Sequence, residues 1–280
     1  MTRRVALIGK PLRRRHSQVM HDAAFAANGI DARYELRELD PRDLPAFVAE
    51  VRDPGWLGFQ VTAPYKQAVM ERLDEIEPAA AAIGAVNSVE RRGDGTLVGF
   101  NTDAPGFARA VERDLGTGFA GAVVVVVGAG GAARAVAHAA TSGGASELLV
   151  AARRVEQAEA LAGGLDGGAR AVALGDPRLA DALARADLVV NATTVGMLEP
   201  GTAVDPDALG ADTAVFDLVY VPPETELVSR ARERGLAAAN GAEMLVAQAE
   251  IAFARWTGVE DAADVMRAAV DPLIRAGGPA

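Results

Sequence analysis

Apolar and polar positions along this chain switch between two periods, and the switches mark out its elements. Val5-Ala6-Leu7-Ile8 is an unbroken apolar run stopped by Gly9 and Pro11, which predicts a short buried strand. From Ser17, a suitable N-cap, apolar residues return at helical spacing through Met20, Ala24 and Ala27 and stop at Asn28-Gly29. Tyr34 to Leu39 alternates and predicts a second strand, Leu44 to Val51 a short helix, and Leu57 to Val61 a third strand. Ala85 to Arg91 and Leu97 to Asn101 flank Gly93-Asp94-Gly95, a strong turn signal, and read as a hairpin.

Beyond that hairpin the pattern changes. Ala122 to Val127 contains five consecutive valines without alternation, as expected of a strand covered by helices on both faces. Strand-like runs recur at Leu148-Ala151, Ala171-Leu174, Leu188-Asn191 and Ala214-Val219, with helical segments between them. Strand alternating with helix predicts an α/β fold with a doubly wound parallel sheet. After about residue 240 the pattern is helical, Ala242 to Trp256 and then Ala262 to Arg275. The reading is an N-terminal α/β domain over 1–104, a Rossmann-type domain over 105–239, and closing helices over 240–280 that return to the first domain. A chain crossing twice between domains is expected to form a hinge, with the active site in the cleft.

Composition narrows the classes. The 280 residues suffice for two ordinary cores, and 50% hydrophobic with 24% charged residues is globular. A net charge of -10 argues against nucleic acid as a partner. The absence of cysteine excludes disulfides, thiolate metal sites and cysteine nucleophiles, and fits a reducing compartment. His16, His21 and His138 are not spaced as a metal site, so no metal is expected. Only five apolar or small residues separate Arg4 from Lys10, too few for a signal peptide. Phe119 to Ala133 is broken by glycines and falls short of the roughly 20 apolar residues of a membrane span. A cytoplasmic protein, monomer or homodimer, with no membrane partner is expected.

Gly128-Ala129-Gly130-Gly131-Ala132-Ala133 places G-x-G-x-x-A between the valine strand and a helix. Gly128 permits a tight turn, Gly130 lets the backbone approach a pyrophosphate, and Ala133 allows close helix–strand contact. Helix-start amides then face the anion. At the end of the next strand, where an acidic residue would bind the ribose hydroxyls of NAD, stand Arg153-Arg154. Two guanidiniums suit a dianionic 2′-phosphate, so NADP is the expected cofactor.

Further motifs follow in series: Gln60-Val61-Thr62-Ala63-Pro64-Tyr65-Lys66, Gly84-Ala85-Val86-Asn87-Ser88, Gly99-Phe100-Asn101-Thr102-Asp103, Asp217-Leu218-Val219-Tyr220 and Met244-Leu245-Val246-Ala247-Gln248. Together with the glycine loop, they resemble the shikimate dehydrogenase family, including its quinate/shikimate members, along essentially the whole chain. The resemblance implies NADPH-linked reduction of 3-dehydroshikimate to shikimate or a close analogue, within aromatic amino acid biosynthesis. It implies Lys66 and Asp103 as the catalytic pair. An ammonium can stabilise and protonate the oxygen that gains charge as hydride arrives, and a carboxylate can orient that ammonium. It assigns Ser17, Arg15, Thr62, Asn87, Tyr220 and Gln248 to the substrate's hydroxyls and carboxylate, and Gly128, Ala129, Gly130, Gly131, Ala132, Arg153, Arg154, Leu218 and Gly241 to the cofactor.

The chain departs from the family pattern in three places. Family members carry a G-x-P-x-x-H-S-x-S-P-like loop, where this chain reads Gly9-Lys10-Pro11-Leu12-Arg13-Arg14-Arg15-His16-Ser17. Aligned without gaps, Arg15 replaces the first of two hydroxyl residues; with a compensating insertion and deletion, His16-Ser17 matches the H-S pair. Ser17 is a substrate residue in either register. A guanidinium at the carboxylate could grip it bidentately or displace the ring, so weak turnover of shikimate is expected. Gln60 replaces the usual asparagine, and Ala242-Glu243 departs from the usual helix start. An enzyme acting on quinate or an aminated shikimate, or a catalytically weak NADP-binding paralogue, are the alternatives.

Overall fold

The apolar run after the N-terminus lies inside β1 (Arg3–Gly9), the strand with which β2 (Ala32–Glu38) and β3 (Trp56–Val61) both pair in parallel. These belong to a computed structural model describing residues 2–165 and 167–277. It divides into two units, Met1–Thr102 with Val246–Ala280, and Asp103–Leu245.

In the first unit the chain continues through α1 (His16–Ala27) and α2 (Leu44–Val51), then β4 (Glu75–Ile76), α3 (Pro78–Ile83), β5 (Ser88–Arg91) and β6 (Leu97–Phe100). The sheet order is β2-β1-β3-β5-β6-β4. β5 runs antiparallel to β3 and β6, which is the anticipated hairpin. Its first arm is shorter than the apolar run suggested. Gly84, with φ 68°, ends α3, and residues 84–87 form an irregular segment that delivers Asn87 rather than a strand. α1 also begins differently from expectation. Its cap position is Arg15, with no side-chain cap bond, and Ser17 lies in the first turn with its hydroxyl close to the Tyr34 phenol.

The closing helices complete this unit. α9 (Ala242–Thr257) enters it at Val246, and α10 (Ala263–Ala276) packs on α1. The Trp256 indole N–H donates to Val89 O at 3.0 Å. Gly58 on β3 makes room for it, since a Cβ there would stand 2.6 Å from Trp256 Nε1 and 2.0 Å from Val89 O.

The second unit opens with α4 (Asp103–Leu115) and then alternates: β7 (Val123–Val127), α5 (Gly131–Ser142), β8 (Glu147–Ala152), α6 (Val155–Ala162), β9 (Arg170–Ala173), α7 (Pro177–Arg185), β10 (Leu188–Asn191), β11 (Ala214–Asp217), α8 (Glu226–Glu233) and β12 (Ala238–Asn240). All pairings are parallel, in the order β12-β11-β10-β7-β8-β9. This is the doubly wound arrangement, whose strand order reverses between β7 and β10. Val124 to Val127 are at most 1% exposed, which explains why that strand lacks alternation. β4 and β12 have two and three residues, too few to display a period. Among the described residues no helix is long and apolar enough to cross a membrane, and no group of three or more His, Asp or Glu could hold a metal.

Candidate active site

In the second unit, the residues expected to meet a cofactor gather at the carboxyl edge of the parallel sheet. Gly128 follows β7 with φ 120°, and a Cβ there would stand 2.8 Å from Ala192 O, just beyond β10. Glycine is required here by the fold itself, at the point where the strand order reverses. Gly130 is different. It caps α5 with φ -81° and is exposed, and a Cβ on it would meet nothing within 4 Å. No protein atom asks for glycine there, whereas a pyrophosphate seated on the helix start would. Gly131 and Ala132 begin α5, and Ala129 is half-buried beside them. Arg153 and Arg154 follow β8 and are exposed, with Arg154 at the cap position of α6. Leu218 follows β11, and Gly241 follows β12. A Cβ on Gly241 would come within 2.3 Å of Leu218 O, so glycine brings these two backbones together. The residues present therefore fit a dinucleotide phosphate.

Behind that edge lies a buried carboxylate to which the sequence motifs gave no role. Asp217 is fully buried and accepts from Asn191 Nδ2 at 2.8 Å, the Val219 N–H at 3.0 Å and the Thr225 hydroxyl at 2.7 Å. Burial raises its pKa against the lowering effect of those three donors. Thr225 in turn caps α8. Asp217 thus anchors both ends of the 218–225 loop that carries half-buried Tyr220.

In the first unit, a turn after β3 places Thr62 and Lys66, both half-buried. The Val86 N–H donates to Lys66 O at 2.9 Å, tying the lysine backbone to the irregular 84–87 segment. The next residue, Asn87, is buried; its Oδ1 accepts from the Thr102 N–H at 2.8 Å and its Nδ2 donates to Thr102 Oγ1 at 2.9 Å. Asp103, buried at 7% exposure, follows Thr102 directly as the first residue of α4. Lys66 is therefore tied through its carbonyl to Val86, and Asn87 is tied to Thr102, the chain neighbour of Asp103. Gln248 on α9 is buried, with its Oε1 3.0 Å from Gln60 Nε2 and 3.5 Å from Thr102 Oγ1. Ser17 and Arg15 lie at the start of α1. Arg15 is exposed, and its Nε donates to Gln18 Oε1 at 2.9 Å, while Gln18 Nε2 donates to Tyr34 O at 2.9 Å. Within this unit the Lys66 backbone, Asn87, Thr102 and Gln248 are thus linked by hydrogen bonds, directly or through chain neighbours, and Arg15 is linked to them through Gln18, Tyr34 and Gln60.

Tyr34 was not expected in a site, and Gln60 was noted only as a departure from the family's asparagine, with no role assigned. Tyr34 donates its phenol proton to Gln60 Oε1, and both side chains are buried. The sequence signal for Gln60 was its polarity among apolar strand residues; for Tyr34 there was none beyond alternation.

Three family descriptions match the chain in series: Shikimate dehydrogenase substrate binding domain over residues 7–89, Shikimate / quinate 5-dehydrogenase over 110–198, and Shikimate 5'-dehydrogenase C-terminal domain over 241–270. The shikimate dehydrogenase (NADP(+)) of Geobacter metallireducens is 42% identical over 272 residues, covering 95% of each chain. The shikimate 5-dehydrogenase of Thermus thermophilus, solved in complex with NADP(H) and shikimate, superposes with a TM-score of 0.87 at 36% identity, covering 96% of this chain and 99% of that one. A quinate dehydrogenase from Corynebacterium glutamicum in complex with NAD gives a TM-score of 0.90 at 36% identity, over 97% and 99% of the two chains. With these matches over nearly its whole length, and with its glycine turn and Asn87–Thr102–Gln248 network in place, the chain belongs to the shikimate dehydrogenase family.

Proposed function

We propose that this protein is an NADP-linked oxidoreductase that interconverts 3-dehydroshikimate and shikimate, with Lys66 and Asp103 as its catalytic pair. The observation that supports this reading is the buried Asn87–Thr102 exchange, whose members are chain neighbours of Val86, which binds the Lys66 carbonyl, and of Asp103. The Gly128–Ala132 turn would hold the pyrophosphate of a nicotinamide dinucleotide, which would supply the hydride acceptor for the ring carbon that bears the hydroxyl. As that C–H bond breaks, the Lys66 amine takes the hydroxyl proton and a ketone forms; in the reverse direction the Lys66 ammonium returns it. Asp103 orients Lys66 and accepts from a neighbouring ring hydroxyl. Thr62, Asn87, Tyr220 and Gln248 meet the remaining hydroxyls, as neutral groups able to donate and accept. Ser17 and Arg15 take the carboxylate. With Nε turned to Gln18, Arg15 has its two terminal amino groups to meet both carboxylate oxygens. The functional division of the chain follows: residues 1–104, completed by helices 240–280, supply most of the contacts to the ring acid, and residues 105–239 bind NADP and add Tyr220.

A second reading, oxidation of quinate, is favoured by the likeness to the Corynebacterium glutamicum quinate dehydrogenase. The test is a panel of shikimate, quinate and an aminated shikimate, each with NADP+ and NAD+, followed by reduced nicotinamide formation. Shikimate with NADP+ is expected to give the highest kcat/KM. A higher value for quinate would move the assignment to the second reading, and turnover of none would refute both.

A further inference from the structure

Gln60 stands where the family pattern has asparagine, and its surroundings explain what the longer amide does. The backbone N–H of Thr102 can only donate, and it fixes the direction of every bond that follows. It donates to Asn87 Oδ1 at 2.8 Å, so the other end of that amide, Nδ2, is the donor to Thr102 Oγ1 at 2.9 Å. Having accepted there, the Thr102 hydroxyl sends its own proton toward Gln248 Oε1, 3.5 Å away. From the opposite side the Tyr34 phenol donates to Gln60 Oε1, and Gln60 Nε2 donates to Gln248 Oε1 at 3.0 Å. Gln248 Oε1 is therefore the point where two donor chains converge.

Tyr34 is fixed on every side. Its backbone N–H donates to Asp22 Oδ1 at 2.9 Å, its carbonyl accepts from Gln18 Nε2 at 2.9 Å, and its ring stacks on His21 at 4.7 Å and 3°. Burial raises the phenol pKa well above its ordinary value, so it stays a donor. Gln60 is 3% exposed and Gln248 8%, and neither amide can be turned without stranding a buried polar atom.

We propose that Tyr34 and Gln60 are positioning residues that fix the polarity of the Gln248 amide, so that Gln248 presents N–H to an acceptor oxygen of the ring acid. The proposal rests on the reading that Gln248 contacts substrate. It carries a specificity rule. A ring hydroxyl or carboxylate has lone pairs for that N–H, whereas a ring ammonium has three donors and no acceptor. The site therefore refuses an aminated ring acid at this position, and the refusal originates in residues that do not touch it.

The test compares wild type, Tyr34→Phe and Gln60→Met with shikimate and an aminated shikimate at saturating NADP+, alongside thermal midpoints. Tyr34→Phe keeps the ring stacking and removes only the phenol oxygen. It is expected to raise KM for shikimate about tenfold, with kcat within about twofold and KM for NADP+ unchanged. Gln60→Met matches the volume without a donor and lets the Gln248 amide turn. It is expected to raise the ratio of kcat/KM for the aminated over the hydroxylated substrate about tenfold. If both variants fold and keep wild-type KM values, or if KM rises equally for both substrates, Tyr34 and Gln60 are structural and the proposal is wrong, while the assignment of the enzyme stands. Should Gln60→Met not fold, the ratio of kcat/KM for the aminated over the hydroxylated substrate in Tyr34→Phe decides, because loss of the Ser17 contact with the phenol would raise KM for both substrates alike. A wild-type protein that turns over no ring acid overturns the assignment and this proposal together.

Discussion

Lys66 belongs to a half-buried turn held through its carbonyl by Val86, so removal of its side chain leaves the backbone tie intact. Lys66→Ala is expected to lower kcat for shikimate by on the order of 10²–10⁴ with much less effect on KM, the usual range for a group that moves the proton. Retention of more than about a tenth of wild-type kcat, with chemistry shown to be rate-limiting, would make the lysine structural. Arg153 and Arg154 are exposed beyond β8 and act at long range only weakly through solvent. In the cofactor role proposed for them, their value to a 2′-phosphate would lie in direct contact, about 1.5–3 kcal/mol for one charge-assisted bond, or roughly tenfold to over a hundredfold in affinity. Replacing both by alanine should erase most of the preference for NADP+ over NAD+ and leave NAD+ kinetics nearly unchanged. Equal kcat/KM for the two cofactors in the unmodified protein would contradict that role. These residues were legible because each sits inside a short motif beside a strand end. Tyr34 was not, since its partner Gln60 lies 26 positions away and no local pattern announces the pairing.

Between β7 and α5 two glycines of one motif meet different surroundings, and substitution is expected to separate their roles. Gly128→Ala forces a side chain into φ 120° and brings its Cβ to 2.8 Å from Ala192 O. It is expected to destabilise the fold by on the order of 1–3 kcal/mol. Gly130→Ala puts a methyl into open space at φ -81°. Its unfolding free energy should stay within about 0.5 kcal/mol of wild type, while the dissociation constant for NADP+, measured by fluorescence titration, rises at least about tenfold. Unchanged NADP+ binding in Gly130→Ala would remove the pyrophosphate from that turn. The motif predicted both glycines, because strand, turn and helix start are all local. The separation of their roles needed Ala192, which lies beyond β10 and reaches Gly128 only once the strands are ordered.

Stability of the whole chain should carry the mark of its histidines. His21 is fully buried, its ring stacked on Tyr34 and set among Phe25, Phe253 and Trp256, and burial lowers its pKa to about 3. His16 and His138 are shifted down as well, each chiefly by burial. A base whose pKa is lower in the folded state binds fewer protons there than when unfolded, so stability rises with pH through this window and is lost as pH falls below about 6.5. At pH 5 His21 alone accounts for about 2 kcal/mol. Buried Asp217, whose pKa is raised, acts in the opposite sense as it nears protonation. The difference between wild type and His21→Phe isolates the histidine. Denaturant unfolding should show the wild type losing about 2 kcal/mol more than His21→Phe between pH 7 and pH 5. Equal slopes would mean that His21 is hydrated and titrates normally.

Periodicity and turn residues determined most elements, the doubly wound class and the glycine turn, because these depend on neighbours within one or two turns of chain. The series of short motifs was enough to place the chain in its family and to nominate Lys66 and Asp103. Three matters were settled in space instead: the strand order that sets Gly128 against Ala192, the short strands β4 and β12, and the convergence of donors on Gln248, which lies 188 positions from Gln60. The physical reason is common to them. A buried polar group must find its partner wherever packing delivers one, and packing joins segments that are remote along the chain. The family motifs name Gln248, but the direction in which its amide points depends on Tyr34, Gln60, Asn87 and Thr102 being folded around it.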